Sequence, residues 1–149
     1  MATATISLCM IVKNEAENLA RCLQSVHGVV DEIVVVDTGS EDDTKEIARR
    51  FGARVLDYPW GGDFSAARNF SLEHATGDWV LILDADEELA GEGHNDLRSF
   101  LAEAEHEAYL VLETNYVGET PGADAVLSVA PRIFRNRPYY RYSGAIHEQ

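Results

Sequence analysis

The residues best equipped for chemistry are Asp84 and Asp86, spaced by Ala85, which directly follow the apolar run Val80-Leu81-Ile82-Leu83. A turn at the end of such a strand lets both carboxylates reach a common cation. Hard divalent ions such as Mg2+ and Mn2+ take oxygen ligands, commonly one or two carboxylates together with phosphate oxygens. Taken alone, an Asp-x-Asp pair fits a solvated loop as well; its place after a buried strand is what points to a metal. Asp37 ends a second apolar run, Ile33-Val34-Val35-Val36, and Asn14-Glu15 follow a third, from Ile6 to Val12. Ligands of open parallel sheets bind at the carboxyl ends of the strands, so three strands would deliver polar groups to one rim. Capping and turn formation compete with that reading. They suit Asn14, Asp63 and the pair Ser40 and Asp43. They suit Asp37 less well, because Thr38-Gly39-Ser40 already supplies the turn chemistry. Arg68, within Ala66-Ala67-Arg68-Asn69, offers a forked donor to phosphate or base, with a surface ion pair as the plainer alternative. Near the C-terminus, His147 is a candidate metal ligand and Glu148 a candidate general base. A polar surface histidine and an exposed carboxylate are the alternatives there.

These residues belong to an acidic chain. Twelve Lys+Arg stand against 26 Asp+Glu, a net charge of -14. A duplex nucleic-acid partner needs a basic footprint, so the charge argues against one, and it disfavours an anionic membrane surface for the same reason. A small anionic ligand stays compatible if a bound cation reverses the local sign. No apolar stretch approaches the roughly 20 residues that span a bilayer. Met1-Ala2-Thr3-Ala4-Thr5 lacks the basic segment and apolar run of a signal peptide. A cytoplasmic location is therefore expected. Cys9, in a strand-like run, and Cys22, on a helix-like apolar face, are expected to be buried thiols rather than a disulfide.

The elements that position the candidates follow from periodicity. Length predicts one domain over 1–149. A continuous apolar run from Ile6 to Val12 predicts a strand buried on both faces. Leu19, Cys22, Leu23 and Val26 recur at helical spacing, with Asn14 and Glu17 as a capping box and His27-Gly28 as the stop. Ile33 to Val36 is the next strand, followed by a helix reaching Phe51. Ala53 to Leu56 is a third strand. A helix from Phe64 to Ala75 is capped by Asp63 and closed by Gly77, and a fourth strand spans Trp79 to Leu83. Further on, a helix is expected within Asn95 to Glu105, a strand from Tyr109 to Leu112, and a pair of segments, Ala125 to Phe134 and Tyr139 to Ile146, pairing around Asn136-Arg137-Pro138. The β-α alternation predicts an α/β fold with an open, mostly parallel, twisted sheet and helices on both faces.

Four segments together resemble a known family. They are Ile6 through Glu15, Ile33 through Thr44, Phe64 through Asn69 and Gly77 through Glu87, with a weaker fifth from Gly144 to Gln149. In order and spacing the chain resembles the family-2 glycosyltransferases of GT-A fold, in particular a bacterial subgroup whose glycosyltransferase domain is often joined to tetratricopeptide repeats. The resemblance implies a Rossmann-like nucleotide-sugar-binding half over 1–90 and a partial, truncated acceptor-side segment over 91–149. It implies that Asn14, Glu15, Asp37, Arg68 and Asp84 bind the nucleotide-sugar, and that Asp86, with Asp84 and His147, holds Mn2+ or Mg2+. The base of the inverting displacement would be Glu148, with Glu87 and Glu88 as alternatives near the metal. The donor would be a nucleotide-diphospho-sugar, UDP-linked by default; the acceptor is a saccharide, lipid or protein of unknown identity. Two other functions compete. A nucleotidyltransferase would show a glycine-rich loop after the first strand, where Lys13-Asn14-Glu15-Ala16-Glu17 stands instead. A fragment that binds nucleotide-sugar without turnover would keep the same motifs.

Overall fold

The computed structural model describes residues 4–90, 97–116 and 125–142. Among the described residues six strands form one sheet: β1 (Ile6–Val12), β2 (Glu32–Asp37), β3 (Arg54–Asp57), β4 (Trp79–Ile82), β5 (Ala108–Tyr116) and β6 (Ala125–Arg135). Four helices accompany them: α1 (Leu19–Ser25), α2 (Thr44–Arg50), α3 (Phe64–Glu73) and α4 (Leu97–Ala102). The strand order is β3-β2-β1-β4-β6-β5. The first four neighbours in that order pair in parallel, whereas β6 is antiparallel to both β4 and β5. The sheet is thus the expected mostly parallel one, carrying an antiparallel edge.

The two-residue period of β1 sorts the core. Ile6, Leu8, Met10 and Val12 face one side, where Leu19, Cys22 and Leu23 of α1, Ala48 of α2 and Leu101 of α4 pack on them. Cys9, with Val34, Val80 and Ile82 of neighbouring strands, faces the other side against Leu72 of α3. Both faces of the central strands are apolar because both are covered, which explains the unbroken apolar runs. Both cysteines are free and buried. Among the described residues no helix is long and apolar enough to cross a membrane.

Three local expectations need correction. The Asn14–Glu17 capping box does not form: α1 begins at Leu19 behind Asn18, which makes no side-chain cap. Asn14 instead sits at φ 54 and spends its carboxamide on another loop. Gly77 does not close α3, which ends at Glu73. It is needed for close approach, since a Cβ there would lie 2.8 Å from Ser7 Oγ. Among the described residues, 125–134 pair with β4 and β5 and not with 139–142; the rest of the expected partner, residues 143–146, lies outside the described residues. Tyr142 is pinned to α3 by two bonds: its N–H donates to Asn69 Oδ1 (2.8 Å) and its carbonyl accepts from Asn69 Nδ2 (3.0 Å).

At the amino ends of the strands, carboxylates tie the sheet together. Glu32 at the start of β2 accepts from Ser7 Oγ of β1 (2.7 Å), from Thr76 N–H (2.8 Å) and from Thr76 Oγ1 (3.0 Å), while Gly77 N–H donates to Ser7 Oγ (2.8 Å). Burial raises the Glu32 pKa, but the hydrogen bonds from Thr76 and Ser7 outweigh it and hold the carboxyl below its ordinary value. A lowered native pKa means that the stabilisation is complete above the unfolded value, roughly 4.3, and is lost as pH falls through the native one. Glu32→Gln is expected to cost about 1.5–3 kcal/mol at pH 7, as for hydrogen bonds to a charged group. That deficit should shrink as urea titrations are repeated at falling pH; a deficit independent of pH would show that the charge does not matter.

Candidate functional site

The opposite rim, at the carboxyl ends of β1, β2 and β4, gathers most of the residues singled out by type and spacing. Register places them. Val12 of β1 pairs with Asp37, and Cys9 pairs with Ile82, two residues before Asp84. The ends of β2 and β4 therefore flank that of β1, about 10 Å apart across two strand spacings.

Asp37 is 2% exposed. Its Oδ1 accepts from Gly39 N–H (2.9 Å) and Ser40 N–H (2.8 Å), so the β2–α2 loop is wound on this carboxylate. Its Oδ2 is buried and has no hydrogen-bond partner among the described residues. A buried carboxylate oxygen left unsatisfied is costly, and a ligand N–H or O–H is the natural remedy.

The loop after β1 is laced to the loop after β2. Asn14 N–H donates to Ser40 Oγ (2.9 Å), Asn14 Oδ1 accepts from Glu41 N–H (2.7 Å), Glu15 N–H donates to Thr44 Oγ1 (2.9 Å) and Ala16 N–H donates to Asp42 Oδ2 (3.2 Å). The left-handed backbone of Asn14, which asparagine tolerates better than most residues, allows the first two bonds at once. Asn14 and Glu15 thus border the rim with groups that fix its shape.

After β4 the chain turns sharply. Glu87 N–H donates to the Asp84 carbonyl (2.9 Å), and Asp84 N–H donates back to Glu87 Oε1 (2.7 Å). The turn carries the carboxylates Asp84, Asp86, Glu87 and Glu88, and three elements each lend it an arginine. Arg68 of α3, 3% exposed, reaches Asp84 Oδ1 at 2.6 Å. Arg132 of β6 grips Glu87 with both nitrogens, at 2.9 and 3.0 Å. Arg21 of α1 meets Glu88 at 2.5 Å. Asp86 is exposed and has no such partner among the described residues. The local fold explains Arg68: Asp63 caps α3 by accepting from Ala66 N–H (3.1 Å), and the buried face of that helix then carries Arg68 inward over the strand ends.

The structure therefore brings Asn14, Glu15, Asp37, Arg68, Asp84, Asp86 and Glu87 to one rim. His147 and Glu148 lie outside the described residues. Among the described residues no three His, Cys, Asp or Glu side chains form a ready-made metal cluster. Arg132 was missed by the reading of the sequence. Its signal was an arginine inside a strand-like apolar run, which calls for an acidic partner.

Cys22 lies beneath the turn, its thiol donating to the Asp84 carbonyl at 3.5 Å. Burial, then the carboxylates of Glu87, Asp84, Asp86 and Glu88, push its pKa up to about 12. Burial does the same for Cys9, also to about 12. Neither thiol should react with Ellman's reagent at pH 8 until guanidinium unfolds the chain. Rapid labelling of Cys22 in native protein would show that the turn does not cover it.

Comparison with known proteins agrees with this geometry. Residues 7–145 match the family model described as glycosyl transferase family 2. A TPR repeat-containing protein of Synechococcus elongatus is 50% identical over 147 residues, 99% of this chain and 36% of that protein. Glucosyl-3-phosphoglycerate synthase from Mycobacterium tuberculosis, solved with Mn2+, UDP and glucosyl-3-phosphoglycerate, superposes with a TM-score of 0.57 at 27% identity, over 72% of this chain and 42% of that one. TarS from S. aureus, solved with UDP-GlcNAc, gives 0.61 at 25% identity, over 71% and 33%. The chain spans between 35% and 50% of the length of the curated relatives it matches.

Proposed function

We infer, for a chain that belongs to the family 2 glycosyltransferases, that it binds a nucleotide-diphospho-sugar at the carboxyl rim of its sheet and supplies the donor half of an inverting, metal-assisted sugar transfer. The observation that carries this reading is the buried Asp37 Oδ2, left without a partner among the described residues on the rim that also bears the acidic turn. A base N–H or a ribose hydroxyl would complete its hydrogen bonding. Uridine is the nucleoside of choice because two structural neighbours hold UDP or UDP-GlcNAc.

The donor set at the turn suits Mn2+ or Mg2+. Asp86 is exposed and uncommitted among the described residues, and Asp84 commits Oδ1 to Arg68. Two carboxylates with phosphate oxygens make the hard, oxygen-rich set these ions take. Asp86 and Asp84 would hold the ion, with His147 as a further ligand. When bound, it neutralises charge developing on the diphosphate leaving group. The chain's own residues do the rest. Arg68 orients Asp84 through their ion pair and adds positive charge beside the diphosphate. Asn14 and Glu15 fix the loop that borders the nucleotide. An acceptor hydroxyl attacks the anomeric carbon from the face opposite the diphosphate and loses its proton to a carboxylate, while the bond to the diphosphate breaks. Glu148 is the candidate for that carboxylate. Glu87 is the poorer one, because both its oxygens are already engaged by Arg132 and the Asp84 N–H.

Donor binding without turnover is the second reading, favoured by the fraction of each relative that this chain spans. Thermal unfolding with UDP, GDP, CMP and dTDP, each with and without Mn2+, tests the donor assignment. At a hundredfold excess over Kd, UDP with Mn2+ should add about 2.7 kcal/mol, on the order of 5–10 °C for a chain of this size. Asp86→Ala should abolish the Mn2+-dependent part and leave the unliganded Tm nearly unchanged. If that variant kept the full Mn2+-dependent shift, Asp86 would not be the ligand.

A further inference from the structure

We propose that Arg132 is a positioning residue: its guanidinium fork, acting through Glu87, sets the backbone of the acidic turn so that Asp84 and Asp86 face the bound cation. The inference rests on the metal reading given above and extends it to a residue that touches neither donor nor metal.

The connection is continuous. Arg132 NH1 and NH2 bind Glu87 Oε1 and Oε2 at 2.9 and 3.0 Å, a fork that fixes the plane of the carboxylate as well as its position. The same Oε1 accepts from Asp84 N–H at 2.7 Å. The plane of Glu87 therefore dictates where the Asp84 amide lies, and with it the directions in which Asp84 and Asp86 leave the chain. The reference frame is the sheet itself. Arg132 is on β6, whose next residue, Ile133, pairs with Leu81 of β4, the strand that leads into the turn. Arg132 NH1 also approaches the Ile82 carbonyl, the last of β4, at 3.5 Å. The two side chains are 17% and 28% exposed, so the pair is more shielded from water than an ordinary surface ion pair. The fork has a second effect: it occupies Glu87, which would otherwise compete with Asp84 and Asp86 for the cation.

The test compares Arg132→Met, Arg132→Lys and Glu87→Gln with the unaltered chain. Three quantities are read: Mn2+ affinity in the presence of UDP, UDP affinity without metal, and amide hydrogen exchange at Asp84. Arg132→Met should weaken Mn2+ binding 10- to 100-fold, as loss of a group that orients a metal ligand does, with metal-free UDP affinity held within about twofold. Lysine keeps the charge without the fork and should recover only part of the loss. Glu87→Gln, nearly isosteric, should reproduce the deficit and serves in place of Arg132→Met if that variant does not fold. Unchanged Mn2+ affinity would overturn the proposal. So would an equal loss of Mn2+ and metal-free UDP binding, which marks a merely structural role. If the unaltered chain shows no Mn2+-dependent UDP binding, the metal reading itself fails, and hydrogen exchange decides the fate of Arg132 separately. Exchange at Asp84 faster by tenfold or more in Arg132→Met, with Leu8 and Val35 unchanged, keeps it as the group that sets the turn; an unaltered rate at Asp84 removes it from that role.

Discussion

Carboxylates gathered at one point repel each other, and the site depends on how that repulsion is met. Four of them occupy residues 84–88 of a chain already at -14. Two unit charges at 4 Å interact by about 4 kcal/mol at an effective dielectric of 20, so an uncompensated cluster would pull the turn apart or force protons onto it. Arginines from α3, β6 and α1 each take one carboxylate, Asp84, Glu87 and Glu88 in turn. The compensation is specific to the residue, and it leaves Asp86 exposed at the tip. On the proposed reading a cation would meet a turn whose other charges are already held, and the helix or strand behind each arginine is coupled to the site by that pairing.

The two ends of the sheet show the same residue types put to opposite uses. At the amino ends, Glu32 accepts from Ser7 and Thr76, Asp31 Oδ2 from Ile6 N–H, and Asp78 Oδ2 from Thr5 N–H and Oγ1. Acceptors and donors close on one another there, and the carboxylates stabilise the strand starts. At the carboxyl ends the accounting stays open: Asp37 keeps a buried oxygen without a partner among the described residues. A cavity of about 610 Å³ lies at the amino end, lined by His27, Phe51 and Arg54 among others, yet the buried carboxylate oxygen without a partner among the described residues, Asp37 Oδ2, lies at the other end. Unsatisfied polar atoms are the better guide to the chemistry here, because a groove can be shaped by helix ends alone.

Most of the scaffold was legible because the central strands are apolar on both faces. β1, β2 and β4 have no competing periodicity, and the strand-end rule then places Asp37, Asp84 and Asp86 on one rim. Asp63 was readable as a cap because helix capping is local. Where the sequence misled, a distant partner had won. Asn14 has the spacing of a capping box, but Ser40 and Glu41 claim it instead. Gly77 has the look of a helix stop, but Ser7, 70 residues away in sequence, needs the space. The strand ending at Arg135 was paired with its sequence neighbour, whereas β5 offered it a long antiparallel ladder, the edge of β4 took its last residues, and Asn69 held Tyr142 elsewhere. Arg68 was seen as a nucleotide ligand, and its ion pair with Asp84 was the alternative already open. Arg132 could be recognised only as a charge that needed a partner.

That division of the acids bears on where the proton of the proposed transfer would go. A general base needs an oxygen free to accept at the moment the acceptor attacks. Glu87 has Oε1 shared between Arg132 and the Asp84 N–H, and Oε2 held by the second arm of the fork. Taking a proton there would break the contact that shapes the turn just when charge is building on the leaving group. Asp84 is tied to a buried arginine, and Asp86 on the proposed reading faces the metal. On the proposed reading the turn is committed to donor and cation, and the base enters from another segment of chain. Glu148, proposed as that base on the family resemblance, belongs to such a segment.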